Sequence, residues 1–130
     1  MRPPGNVTPY DIPLSTMWFD EQGIFCSIAK KNASITKEAL EDSFNFIRKH
    51  VGEKKICWIG DVTHAAFPTK EAREYAGEET PKLVQALAII VNSEISKLVA
   101  NAFLRVQKPP YPTKMFTNEK EAREWLQQYL

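Results

Sequence analysis

Few side chains in this 130-residue chain carry reactive or metal-binding chemistry. There are two cysteines, Cys26 and Cys57, and two histidines, His50 and His64. They lie far apart, and no CxxC or HxxxH spacing sets two of them on one metal. Both cysteines sit in apolar runs, IFCSIA and ICWIG, which predicts buried reduced thiols rather than a disulfide or a metal pair. The five glycines form neither a GxGxxG turn nor a P-loop, so no phosphate cradle is visible. A nucleophile needs a base beside it, yet there is no GxSxG and neither histidine has an evident partner. Glu78 and Glu79 are adjacent in a predicted loop, where neighbouring carboxylates point apart into water. Catalysis would need His64 to meet Asp61 in good geometry. The expectation is a chain that is not an enzyme, with no catalytic residue, no metal and no cofactor.

One stretch remains where chemistry could gather: DVTHAAFPT, residues 61–69. It follows the apolar run KICWIG, and in open α/β sheets ligands collect beyond the carboxyl ends of the strands. Asp61, Thr63, His64, Phe67 and Thr69 are therefore the candidate interaction or regulatory loop. Thr63 or Thr69 could accept a phosphate, which would meet the free amides of the next helix. In the plainer reading, Asp61 and Thr63 only satisfy loop amides.

The elements that would position this loop can be read in turn. Residues 1–15 hold four of the nine prolines and read as an extended or disordered arm ahead of a domain spanning 16–130. Thr16–Phe19 and Ile24–Ala29 flank Asp20-Glu21-Gln22-Gly23, which predicts a β-hairpin with Gly23 supplying a positive φ. Thr36 caps a predicted helix whose stripe is Ala39, Leu40, Phe44, Ile47 and Val51, with Gly52 just past its end and His50 solvated in its last turn. Lys55–Gly60 is a buried strand. A short exposed helix is predicted to begin at Pro68 and stop at Gly77, with Glu78–Lys82 leading onward. Leu83–Val91, apolar but for Gln85, suits a strand buried on both faces. Asn92 and Ser93, both good N-cap types, precede a helix with Ile95, Leu98, Val99, Ala102, Phe103 and Val106 as its apolar stripe. Pro109 and Pro110 end it, and Thr113–Phe116 returns as a strand. Thr117 or Asn118 caps the last helix, lined by Ala122, Trp125, Leu126 and Tyr129. Alternation of this kind predicts an α/β domain with a mostly parallel sheet.

The order of elements and the DVTH turn resemble the STAS domain of anti-sigma-factor antagonists. In that family a serine at the start of the following helix is phosphorylated by a partner kinase. The corresponding place here reads FPTKEA: Phe67 matches the family's frequent aromatic, the serine is absent, and Thr69 lies nearby. A closer resemblance is to the small bacterial proteins called STAS/SEC14-like, a mostly uncharacterised group of SpoIIAA-like fold. The N-terminal hairpin, NAFLRVQKP, YPTKMF and EKEAREWL carry it, over Met17–Leu130. That group is similar in fold to CRAL-TRIO lipid-binding domains. The resemblance implies a single SpoIIAA-like α/β domain, a mainly parallel sheet with an N-terminal β-hairpin and about four helices.

The function expected is a regulatory or protein-interaction module of STAS type, working through the 61–69 loop with an unknown protein partner. The alternative is binding of a small hydrophobic ligand or lipid in a CRAL-TRIO-like groove beneath the Ser93–Lys108 helix, with PPYP as hinge. Leu104 lies off the main stripe and could cover a second copy in a homo-oligomer. The net charge is +1 and lysines and arginines are spread out, which argues against nucleic acid. No apolar segment is long enough for stable membrane insertion and no signal peptide is visible, so a cytoplasmic location is expected.

Overall fold

The computed structural model describes residues 1–130. Its centre is a six-stranded sheet in sequence order: β1 (Tyr10–Asp11), β2 (Ser15–Phe19), β3 (Phe25–Ala29), β4 (Ile56–Asp61), β5 (Val84–Ile90) and β6 (Thr113–Phe116). β1, β2 and β3 pair antiparallel, whereas β3 to β6 run parallel. Four helices accompany it: α1 (Lys37–Val51), α2 (Lys70–Leu83), α3 (Glu94–Gln107) and α4 (Glu119–Leu126). A single 3-10 turn, Gln127–Tyr129, follows. The mixed α/β architecture with its N-terminal hairpin is the one the sequence predicts.

Side-chain alternation divides the sheet into two faces. Cys26, Cys57, Ile59, Ala86, Ala88 and Ile90 face α4, where Ala122 and Leu126 seal a fully buried cluster around Trp18. Phe25, Ile56, Trp58 and Leu87 face the other way, toward α1 and α2. The farther end of that same face, Ile89 and Val91, meets Ala100 of α3.

Local chemistry sets most boundaries as read. The hydroxyls of Thr36, Thr69 and Ser93 and the amide oxygen of Asn118 each accept a backbone N–H from the first turn of α1, α2, α3 and α4. Gly52 ends α1 at φ 66° and Gly23 turns the hairpin at φ 78°, conformations in which an L side chain is strained.

Three expectations are corrected. α2 does not stop at Gly77; it runs through Pro81 to Leu83 and abuts β5 directly. Burial of Thr80 and Leu83 outweighs the local helix-breaking preference. Pro81 removes only the amide bond to the Gly77 carbonyl, and Gly77 is exposed, so water can take that group. Glu78 and Glu79 are thus helical. Glu79 pairs with Arg48 of α1 at 2.9 Å and with Lys82 at 2.6 Å, hydrogen bonds that hold its carboxyl below the ordinary range.

Second, the N-terminal arm joins the domain before Ser15. β1 pairs with β2, Ile12 and Leu14 are buried in the core, and the Tyr10 ring stacks on Phe46 at 4.7 Å. Two spaced apolar residues and an aromatic among prolines suffice to dock the strand. Third, the α3 stripe is split. Val99, Ala100 and Phe103 turn inward, but Ile95, Leu98 and Val106 are 75%, 71% and 64% exposed. Leu104 is half-buried against Ile89 and Val91 and does not face outward. His50, read as solvated, is exposed and also stacks on Phe19 at 3.9 Å.

Candidate functional site

The loop after β4 is built from its own polar atoms. Asp61 Oδ1 accepts the Thr63 amide at 3.0 Å, a short side-chain turn that starts the loop. Thr63 Oγ1 accepts the Asn92 amide at 3.2 Å, and the Thr63 carbonyl accepts the Ser96 hydroxyl. Thr63 thereby ties this loop to the entrance of α3. Thr69 caps α2 through Ala72 N at 3.1 Å, and its own amide donates to the Ile35 carbonyl at 3.1 Å. His64 is exposed and makes no hydrogen bond, so it does not meet Asp61. Phe67 is 44% exposed; its ring lies edge-on to Phe103 of α3 at 6.5 Å, with the Arg73 guanidinium 5.0 Å from its centroid.

The five loop residues therefore do not converge on one point. Asp61, Thr63 and Thr69 are occupied by backbone amides, and Phe67 leans on the wall of something larger. That larger feature is an apolar cavity of about 220 Å³ beneath α3. Its floor is the sheet face carrying Phe25, Trp58, Leu87 and Ile89. α2 and α3 form its walls, the loop residues Ala65, Ala66 and Pro68 line part of it, and Pro109, Pro110 and Tyr111 line another part.

The cavity exists because small residues meet there. Ala72, Ala76 and Gly77 of α2 oppose Ala100 of α3 above Gly60 of β4. None of them reaches far enough to fill the space the helices span. Gly77 also makes room for Gln107, whose Nε2 donates to the Arg73 carbonyl at 2.9 Å and ties α3 to α2; a Cβ on Gly77 would sit 3.3 Å from that nitrogen. Gly60 has a similar neighbour. A Cβ there would lie 3.2 Å from Trp58 Nε1, which donates to Ser27 Oγ at 2.8 Å.

The few polar groups around the cavity are neutral or already paired. Burial pushes the Tyr111 phenol up to about 12, against the smaller opposing effect of its hydrogen bond with Thr80, so it stays protonated. Asp61, at the rim of the cavity, is committed to the Thr63 amide. Both thiols lie elsewhere: Cys26 and Cys57 are free and buried on the α4 face. No group of three His, Cys, Asp or Glu side chains could hold a metal ion, and no helix is long and apolar enough to cross a membrane.

The sequence reading missed Ala72, Ala76 and Ala100 as site residues. A signal for the α2 pair was present, since Ala72 and Ala76 stand one helical turn apart on a helix that must cover a sheet. What opposes them across the cavity could not be read from the chain order.

Among solved structures, an uncharacterized protein from the DUF3478 family of Shewanella loihica PV-4, with a SpoIIAA-like fold, is similar at a TM-score of 0.63 and 16% identity. The match covers 97% of this chain and 99% of that one. A protein of unknown function from Arthrobacter sp. FB24 aligns over 85% of this chain and 97% of its own at 25% identity, with a TM-score of 0.32. A search of the curated proteins gives no match. The Shewanella structure shows the fold to be SpoIIAA-like. A family model described as "Domain of unknown function (DUF7793)" matches residues 17–130, and the chain belongs to that family.

Proposed function

We propose that this STAS-type domain works by binding rather than by catalysis, and that it takes a small hydrophobic ligand into the cavity beneath α3. The observation that carries this reading is the cavity itself. At about 220 Å³ it exceeds the ~150 Å³ apolar cavity that stays dry and accepts benzene. Its lining offers almost no hydrogen bonds, so a polar substrate would lose its hydration without replacement. A medium-length acyl chain or a single apolar ring fits the size and the chemistry. Trp58 lies in the floor, so occupancy can be read from its fluorescence.

Titration of the full chain with octanoic acid should change the tryptophan emission and raise Tm. Ala76→Leu, which extends a side chain into the cavity, should abolish both responses while the chain keeps its circular dichroism spectrum. If neither octanoic acid nor toluene shifts emission or Tm in the native chain, the reading fails.

A second reading has one observation in its favour. Phe67 stands 44% exposed beside Arg73 on the loop after β4, which suits a regulatory protein partner that covers an aromatic ring. Under this reading Phe67→Ala loses a partner recovered by the native chain from native lysate. Equal recovery by both chains would remove it.

A further inference from the structure

We propose that the outer face of α3 is an interface for a second copy of this chain, with the two α3 helices packed antiparallel across a two-fold axis. The residues that make this face are Ile95, Leu98, Ala102 and Val106, all exposed. Their spacing of three, four and four residues forms a continuous seam along a four-turn helix. α3 is thus apolar on two sides, and only the inner side is covered by its own chain. Core packing does not require the outer one, because Val99, Ala100 and Phe103 already supply the contact with the interior.

The charges say which occupant fits. Glu94, Asn101, Arg105 and Lys108 all flank the same edge of the seam by helical angle, and all are exposed. In an antiparallel pair related by a two-fold axis, each edge meets the same edge of the other copy. An axis near Asn101 sets Leu98 against Ala102 of the second copy and Ile95 against the Arg105–Val106 turn. It also brings Glu94 of each copy alongside Arg105 and Lys108 of the other. The acidic start of the helix thereby meets its basic end twice, and Asn101 faces its own counterpart, a polar pair that fixes register in such seams. A parallel two-fold pair would set this edge against the opposite edge of the other copy, which carries Val99 and Phe103, and would leave Glu94, Arg105 and Lys108 without partners across the seam. Within one chain Glu94 has only Lys97, at 3.4 Å, and is 91% exposed, while Arg105 and Lys108 have no acidic partner within salt-bridge distance. Small Ala102 near the axis lets the backbones approach. Phe67, next to Phe103, extends the apolar area beyond the other edge.

A 14-residue helix is only about 21 Å long, so the dimer depends on concentration. The test is sedimentation velocity on the full chain over a concentration series. The native chain should pass from monomer to dimer, and Leu98→Glu should remain monomeric with an unchanged circular dichroism spectrum. Glu94→Lys should weaken self-association by about tenfold, as should the double variant Arg105→Glu, Lys108→Glu. An equimolar mixture of those two charge variants should dimerise again, because every edge contact is then between opposite charges. The proposal is overturned if the native chain stays monomeric at its highest soluble concentration. It is equally overturned if Leu98→Glu dimerises normally, or if the mixed charge variants associate no better than either alone. Cosedimentation of a monomeric native chain with anionic vesicles would assign the face to a membrane and reject the dimer.

Discussion

At Cys26 the thiol lies fully inside the α4 face, with the Arg123 guanidinium nitrogen 3.7 Å away. Burial, aided by the nearby Asp20 carboxylate, pushes the thiol from 9.0 up to about 12, and Arg123 offsets only part of this. The thiolate is the reactive form, so near neutral pH this cysteine is inert. Because its folded value is raised above the unfolded one, the stability it contributes is complete below pH 9 and is lost as pH climbs toward 12. Three units correspond to about 4 kcal/mol at most. Urea denaturation of the native chain and of Cys26→Ala across that window should show the native chain losing more. Parallel losses in the two chains would contradict the assignment, since Tyr111 titrates in both. Asp61, Thr63 and Thr69 show the same economy of chemistry. Each polar group is used to hold backbone, which the plainer reading of the sequence expects of Asp61 and Thr63 but not of Thr69.

Among the helices, α3 packs least closely against the rest of the chain. Its polar ties are the Ser96 hydroxyl on the Thr63 carbonyl at one end and Gln107 on the Arg73 carbonyl at the other. Between them lies the cavity, where packing contacts are missing. α4, by contrast, is held by Arg123, which bridges Glu119 at 2.7 Å and Asp20 at 2.5 Å across to the hairpin turn. Gln107→Ala should therefore cost about 1 kcal/mol of global stability. It should also raise amide exchange selectively in α3, seen by hydrogen–deuterium exchange. A uniform increase across α3 and α4 would show that α3 does not open separately. The caps of α1, α3 and α4 were legible in the sequence to within a residue, because a cap is a local event between residues three apart; the Thr69 cap of α2 was not, because Pro68 suggested an earlier start. The extent of α2 was not, because Gly77 and Pro81 both signal a stop, and only burial of Thr80 and Leu83 carries the helix past them.

For the whole molecule, sheet order and helix placement create the cavity that no segment contains. Ligand that binds only the folded chain stabilises it by mass action, by about 2.7 kcal/mol at a hundred times Kd, which is why Tm reports occupancy of the cavity. Strands β2 to β6, the presence of four helices and most of their caps follow from the chain alone, because periodicity, turn chemistry and burial tendency act over a few residues. The βαβ return through Thr113–Phe116 and the SpoIIAA-like resemblance were readable for the same reason. The loop Asp61–Thr69 was readable as a place but not as a site, since its polar atoms find their partners at Ile35 and Asn92. Only the tertiary structure decides that Ala72, Ala76 and Ala100 leave a void over Trp58, and that half of an apolar stripe on α3 faces out. Packing is a sum over elements distant in sequence: the same alanines and the same Leu98 would be plain core residues if α3 sat a few ångströms lower on the sheet.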